Sequence, residues 1–128
     1  MNLFKSIFGN SDEVQNTSRV GWKPLTHEEQ LNEIMTESVE KPVAIFKHST
    51  RCGISRMTLK QFENEYDLHD KITPYFIDLL ENRKVSDAVA HRFNVTHESP
   101  QLLLIRDGNP VYVASHGDIF ADDLKRYI

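Results

Sequence analysis

Val43-Ala44-Ile45-Phe46-Lys47-His48-Ser49-Thr50-Arg51-Cys52-Gly53-Ile54-Ser55 is the stretch that decides the fold of this chain. Pro42 precedes four apolar residues, a run suited to a strand buried on both faces. A short polar loop from Lys47 to Arg51 follows. Beyond Cys52, the residues Ile54, Met57, Leu59, Phe62 and Tyr66 lie mostly along one stripe, which predicts a helix ending near Asp67. A strand therefore passes through a polar loop straight into a helix, with a cysteine at the junction.

Upstream, Val20 to Leu25 reads as a short extended piece. Thr26 followed by Glu29 is a capping-box pattern, and Leu31, Ile34 and Met35 continue at helical spacing. The first helix is thus expected from about Thr26 to Ser38. Downstream, Thr73 to Leu80 reads as a strand, and a helix from about Asn82 to Phe93 carries Val85, Val89 and Phe93 four residues apart. Ser99-Pro100 leads into a strand over Gln101 to Arg106. Asp107-Gly108-Asn109-Pro110 is turn chemistry, and Val111 to Ala114 returns as an antiparallel partner. Gly117-Asp118 opens a final helix carrying Ile119, Phe120, Leu124 and Tyr127. The order β-α-β-α-β-α-β-β-α, with right-handed parallel crossovers in its first part, resembles a thioredoxin-like three-layer α/β sandwich, a central mixed sheet flanked by helices. Fold alone does not decide function.

The chain's 128 residues suit one compact domain, set at 20–128. Residues 1–19 read as a leader, polar from Gly9 to Arg19, with Leu3, Phe4, Ile7 and Phe8 on one side of a short amphipathic segment. A net charge of −4 argues against a general nucleic-acid binder. The single cysteine forms no internal disulfide. It offers no zinc-type spacing, and the six histidines form no recognisable ligand pair, so no metal site is expected. No apolar run suggests a signal peptide or a membrane span. The expected location is the reducing cytoplasm, where a free thiol persists.

A thiol at the start of a helix meets unpaired backbone N–H groups and the positive end of the helix dipole, and both favour thiolate. An interaction of up to about 2 kcal/mol lowers a thiol pKa by somewhat more than about one unit. Lys47, His48 and Arg51 lie close by in sequence, and Gly53 leaves room for a partner to approach the sulfur. Ser55 stands where a dithiol site carries its second cysteine. It cannot release a mixed disulfide, but its hydroxyl can donate a hydrogen bond to a thiolate. The expected chemistry uses one thiol and an external second thiol. The plain alternative is a buried, inert cysteine. The strand–loop–helix setting, the cationic flank and Ser55 argue against that alternative.

Ser99-Pro100, just before a strand that should face the thiol loop, is the expected site of a cis peptide bond. The backbone of Ser99 would then be free to pair with a bound peptide or thiol. His69, His91, His97 and His116 read as solvated surface residues, whereas His48 lies in the thiol loop. Asp78 is either a proton acceptor near the thiol or an ordinary strand-end carboxylate. Trp22 reads as packing.

The string Phe46-Lys47-His48-Ser49-Thr50-Arg51-Cys52-Gly53-Ile54-Ser55 resembles the signature of the YtxJ-like family, the monothiol bacilliredoxins of the bacillithiol system. Trp22, Leu25, the helix after them and Ser99-Pro100-Gln101 extend the resemblance over roughly residues 20 to 128. Family members commonly carry proline after the cysteine, where this chain has Gly53. The resemblance implies a monothiol oxidoreductase that removes bacillithiol from S-thiolated proteins. Cys52 is then the nucleophile, with Lys47, His48, Thr50 and Ser55 as its supporting residues; Arg51 and Gly53 in the thiol loop and Ser99 and Pro100 at the expected cis bond complete the expected binding surface. Bacillithiol or a similar small thiol is the co-substrate, with no tightly bound cofactor. Two other functions compete: a non-enzymatic interaction module with a redox-sensitive cysteine, and an iron–sulfur carrier like monothiol glutaredoxins.

Overall fold

The elements run in the order β1 (Lys23–Pro24), α1 (Gln30–Glu40), β2 (Val43–His48), α2 (Gly53–Glu65), β3 (Thr73–Asp78), α3 (Arg83–Phe93), β4 (Gln101–Arg106) and β5 (Asn109–Ser115). Two 3-10 segments, His116–Asp118 and Ala121–Tyr127, complete the chain. This computed structural model describes residues 19–128, so the leader up to residue 18, with Leu3, Phe4, Ile7 and Phe8, lies outside the described residues.

The five strands form one mixed sheet in the order β1-β3-β2-β4-β5. β1 and β2 pair parallel to β3, and β4 pairs antiparallel to both β2 and β5. Every residue of β2 is buried, as its apolar run predicts for a strand covered on both faces. Its side chains alternate between two cores. Ala44 and Phe46 join Trp22, Leu59, Phe62 and Phe76 on the α2 side. Val43 and Ile45 join Leu31, Ile34, Val85, Val89 and Phe93 on the side of α1 and α3. The same alternation sends Lys47 and His48, at the end of β2, into opposite layers.

Two expectations need correction. Helix α1 begins at Gln30 rather than Thr26. The Gln30 side chain takes the part expected of Glu29: its Oε1 accepts the N–H groups of Thr26 (2.8 Å) and His27 (2.9 Å), and its Nε2 donates to the Pro24 carbonyl. Residues 26–29 are thereby folded into a tight turn ahead of the helix. The closing segment is 3-10 rather than α-helical. Ala121 and Leu124 are buried and Tyr127 half-buried, a spacing of three that matches three residues per turn. Phe120, expected on the buried stripe, is exposed.

A single-thiol site at the end of the central strand

Cys52 is the N-cap of α2, in extended backbone conformation, and its side chain is part-exposed. Its N–H donates to the Ser49 carbonyl (3.2 Å) and its carbonyl accepts from the Arg56 N–H (3.1 Å), so the thiol loop closes directly into the helix. Arg51, Gly53 and Ile54 around it are exposed. A Cβ built on Gly53 would meet only Arg56 Nη2, at 3.8 Å, so the approach to the sulfur past this residue is open.

Ser55 and His48 form a buried pair. His48 Nδ1 lies 2.8 Å from Ser55 Oγ, and the Ser49 N–H donates to that same Oγ at 3.1 Å. Ser55 is fully buried and His48 nearly so, its ring tilted against Phe76 at 5.6 Å. The hydroxyl expected to face a thiolate is engaged by the loop backbone and by imidazole, and no hydrogen bond joins it to Cys52 among the described residues. Serine at 55 thus braces the turn beneath the thiol. Burial pushes the His48 pKa below its ordinary value, Asp78 opposes this, and the Arg56 charge adds to it.

Asp78 is the register partner of His48 and closes the turn after β3, with its Oδ1 accepting from the Leu80 N–H at 3.1 Å. That contact is the strand-end alternative. Thr50 and Arg51 are exposed in the thiol loop. Arg56 was not singled out from the sequence. Its Nη1 donates to the Thr50 carbonyl at 3.1 Å, which holds a guanidinium over the loop within reach of Gly53. The available signal was an arginine four residues after the cysteine, one helical turn along.

Ser99-Pro100 has the expected cis peptide bond. Pro100 directly precedes β4, whose Gln101 is the register partner of Lys47, so the loops bearing Cys52 and Pro100 leave the same end of the sheet. The Pro100 carbonyl accepts from the His116 N–H (2.9 Å), and Ser99 Oγ is a buried atom with no hydrogen-bond partner.

Lys47 does not join this group. It is fully buried on the far face of the sheet, where its Nζ donates to the Ser86 carbonyl of α3 at 3.1 Å and lies 3.2 Å from His97 Nδ1. Strand alternation, which brings His48 to the thiol side, takes Lys47 away from it. Burial pushes the Lys47 pKa down to about 8. His97, expected in solvent, is half-buried and held by Lys47 and Ser86 Oγ. His69, His91 and His116 are exposed, as expected, and Trp22 packs against Phe46, Phe62 and Phe76.

A mixed β-sheet between two helical layers, a thiol capping the helix after the central strand and a cis-proline loop beside it define a thioredoxin-fold protein with a single-thiol site. A solved structure described as a candidate oxidoreductase with a thioredoxin fold is 32% identical, with a TM-score of 0.69, covering 80% of this chain and 89% of that one. Residues 23–124 match the family described as Monothiol bacilliredoxin BrxC, and the chain belongs to that family. The thioredoxins of Malassezia sympodialis (20% identity, TM-score 0.61, covering 82% of this chain and 85% of theirs) and Fasciola hepatica (18%, 0.62, 81% and 93%) share the fold. Family and fold together support a thiol redox function. No helix among the described residues is long and apolar enough to cross a membrane.

Proposed function

We propose that the protein removes a low-molecular-weight thiol, bacillithiol in the first instance, from protein mixed disulfides. The Cys52 thiolate attacks the sulfur of the small thiol. A Cys52–small-thiol disulfide forms, the original disulfide breaks, and the freed protein leaves as a thiolate. A second small-thiol thiolate then attacks the adduct, which regenerates Cys52 and releases the symmetric small-thiol disulfide. Electrons balance within these two exchanges, and no cofactor is needed.

The observation that carries the reading is the site itself: one part-exposed thiol capping α2, with Ser55 in place of a second thiol and locked to His48. With no resolving cysteine in the chain, the adduct persists until an external thiol arrives. Family membership supports bacillithiol as that thiol, and the location consistent with it is a reducing cytoplasm.

The test is mass spectrometry after incubation with bacillithiolated and glutathionylated proteins. The expected result is an adduct on Cys52, absent in Cys52→Ala, which disappears when free bacillithiol is added. No transfer from either substrate rejects the proposal. An interaction module that binds such proteins without taking the adduct would give that negative result. A coloured dimer after anaerobic iron–sulfur reconstitution would point instead to cluster carriage.

A further inference from the structure

We propose that Lys47 and His97 are positioning residues: their contact beneath α3 fixes the segment 94–100 that presents Ser99 and Pro100 at the thiol end, and protonation of His97 releases it. The inference deepens the function proposed above, because it rests on that segment facing the substrate.

Lys47 leaves β2 into the layer beneath α3, fully buried, and spans from the Ser86 carbonyl (3.1 Å) to His97 Nδ1 (3.2 Å). Ser86 Oγ approaches the same nitrogen at 3.4 Å. From the neighbouring strand, Gln101 Nε2 donates to the Thr96 carbonyl at 2.9 Å. Two adjacent strands thus reach into one short segment and grip consecutive residues of it. The segment starts at Asn94, a left-handed C-cap whose N–H bonds back to α3, and ends at Pro100, whose carbonyl is held by His116. Between those ends, Lys47 and Gln101 supply its side-chain ties to the sheet.

The tautomer follows from donor counting. An ammonium carries only donors, so His97 Nδ1 must accept and the ring is neutral with its proton on Nε2. A second ring proton would sit on Nδ1 and face the ammonium, and the contact would break. The charged groups facing His97 are Lys47 from β2, Arg83 and Asp87 from α3, and Glu98 in its own segment. Glu98 also lies 3.7 Å from His116. Lys47 itself faces Asp87, Arg83 and His97. Burial, Lys47 and Arg83 all push the His97 pKa below its ordinary 6.5, which keeps the contact at neutral pH and opens it on the acid side. Loss of the Lys47 charge in alkali leaves a compatible neutral pair, so only the acid limb disrupts the segment.

The experiment follows imidazole and amide resonances by 1H–15N NMR from pH 8 to pH 5, in the wild type and in His97→Gln. Glutamine can still accept from Lys47 through its Oε1 but does not titrate. In the wild type, His97 should show an unprotonated Nδ1 at pH 7. The Ser99 and Gln101 amides should move with the His97 titration, and their motion should vanish in His97→Gln. Adduct transfer to Cys52 should fall several-fold more between pH 7 and pH 5.5 in the wild type than in the variant. His97 titrating without any response at Ser99 or Gln101 overturns the inference, as does a response that persists in His97→Gln. The wild-type spectra decide the matter even if the variant fails to fold. If no adduct ever forms on Cys52, the proposed function fails, and the spectra still judge the positioning contact separately.

Discussion

Lys47→Met tests the energetic consequence of burying an amine on the far side of the sheet. Burial pushes its pKa from 10.5 down to about 8. Between those values the unfolded chain holds a proton that the folded chain has lost, so stability rises as pH climbs. Integrated from pH 7 to pH 9.5, the rise is about 2 kcal/mol. The Tyr66 hydroxyl, raised to about 12 by burial, acts in the opposite sense only as the unfolded tyrosine ionises near pH 10, which sets the upper end of the window. Methionine removes the charge together with the Lys47 bonds to the Ser86 carbonyl and His97 Nδ1, but that carbonyl lies inside α3 and keeps its helical partner and Ser86 Oγ stays near the imidazole, so the loss is about 1–3 kcal/mol in all. At pH 7 the two effects oppose each other, so the pH slope is the discriminating quantity. Urea unfolding followed by circular dichroism, in a Cys52→Ser background to prevent oxidation of the thiol, reads it directly. The parent midpoint should rise by about 1–2 M urea from pH 7 to pH 9.5, and the Lys47→Met midpoint should stay level. A level parent, or an equal rise in the variant, refutes the assignment of the buried charge.

Arg56→Gln should lower the rate of Cys52 with iodoacetate relative to neutral iodoacetamide by about two- to fivefold, the effect of one charge worth about 0.5–1 kcal/mol in water. An unchanged ratio would show that the guanidinium does not act on the thiol. Ser55→Cys places a second thiol three residues along the first helical turn, within the usual disulfide span. Its Cys52 adduct should therefore collapse to an internal disulfide, seen as release of the small thiol and a mass two hydrogens lower. An adduct as long-lived as in the parent contradicts this. Phe62→Ala, at a fully buried site between Trp22, Phe46 and Tyr66, should cost about 3–5 kcal/mol in denaturant unfolding. A loss below about 1 kcal/mol would mean the aromatic cluster is not a close-packed core.

The thiol's place was legible because a buried apolar strand, a polar loop and a helical stripe are local patterns that leave few alternatives. The cis peptide at Ser99-Pro100 followed once the fold was in hand. The side on which Lys47 emerges was also open to inspection, since Val43, Ile45 and Lys47 form one alternation and Ala44, Phe46 and His48 the other. Proximity in sequence masked it. The spacing of Ala121, Leu124 and Tyr127 likewise carried the 3-10 period, hidden by the apolar neighbours Ile119 and Phe120. What no local pattern contains is the Ser55–His48 bond and the Lys47–His97 contact. The first spans seven residues and depends on how the thiol loop closes into α2, and the second joins residues fifty positions apart that only the folded sheet brings together. A histidine in an aperiodic segment shows nothing in sequence of what will bury it.

Trp22, the chain's one tryptophan, gives the thiol helix a built-in optical reporter. Its indole stacks on Phe62 with centroids 5.7 Å apart, and its Nε1 donates to Glu63 at 2.7 Å, both residues of α2. An adduct on Cys52 that shifts this helix should therefore change the tryptophan emission, so loading of the sulfur can be followed without a label.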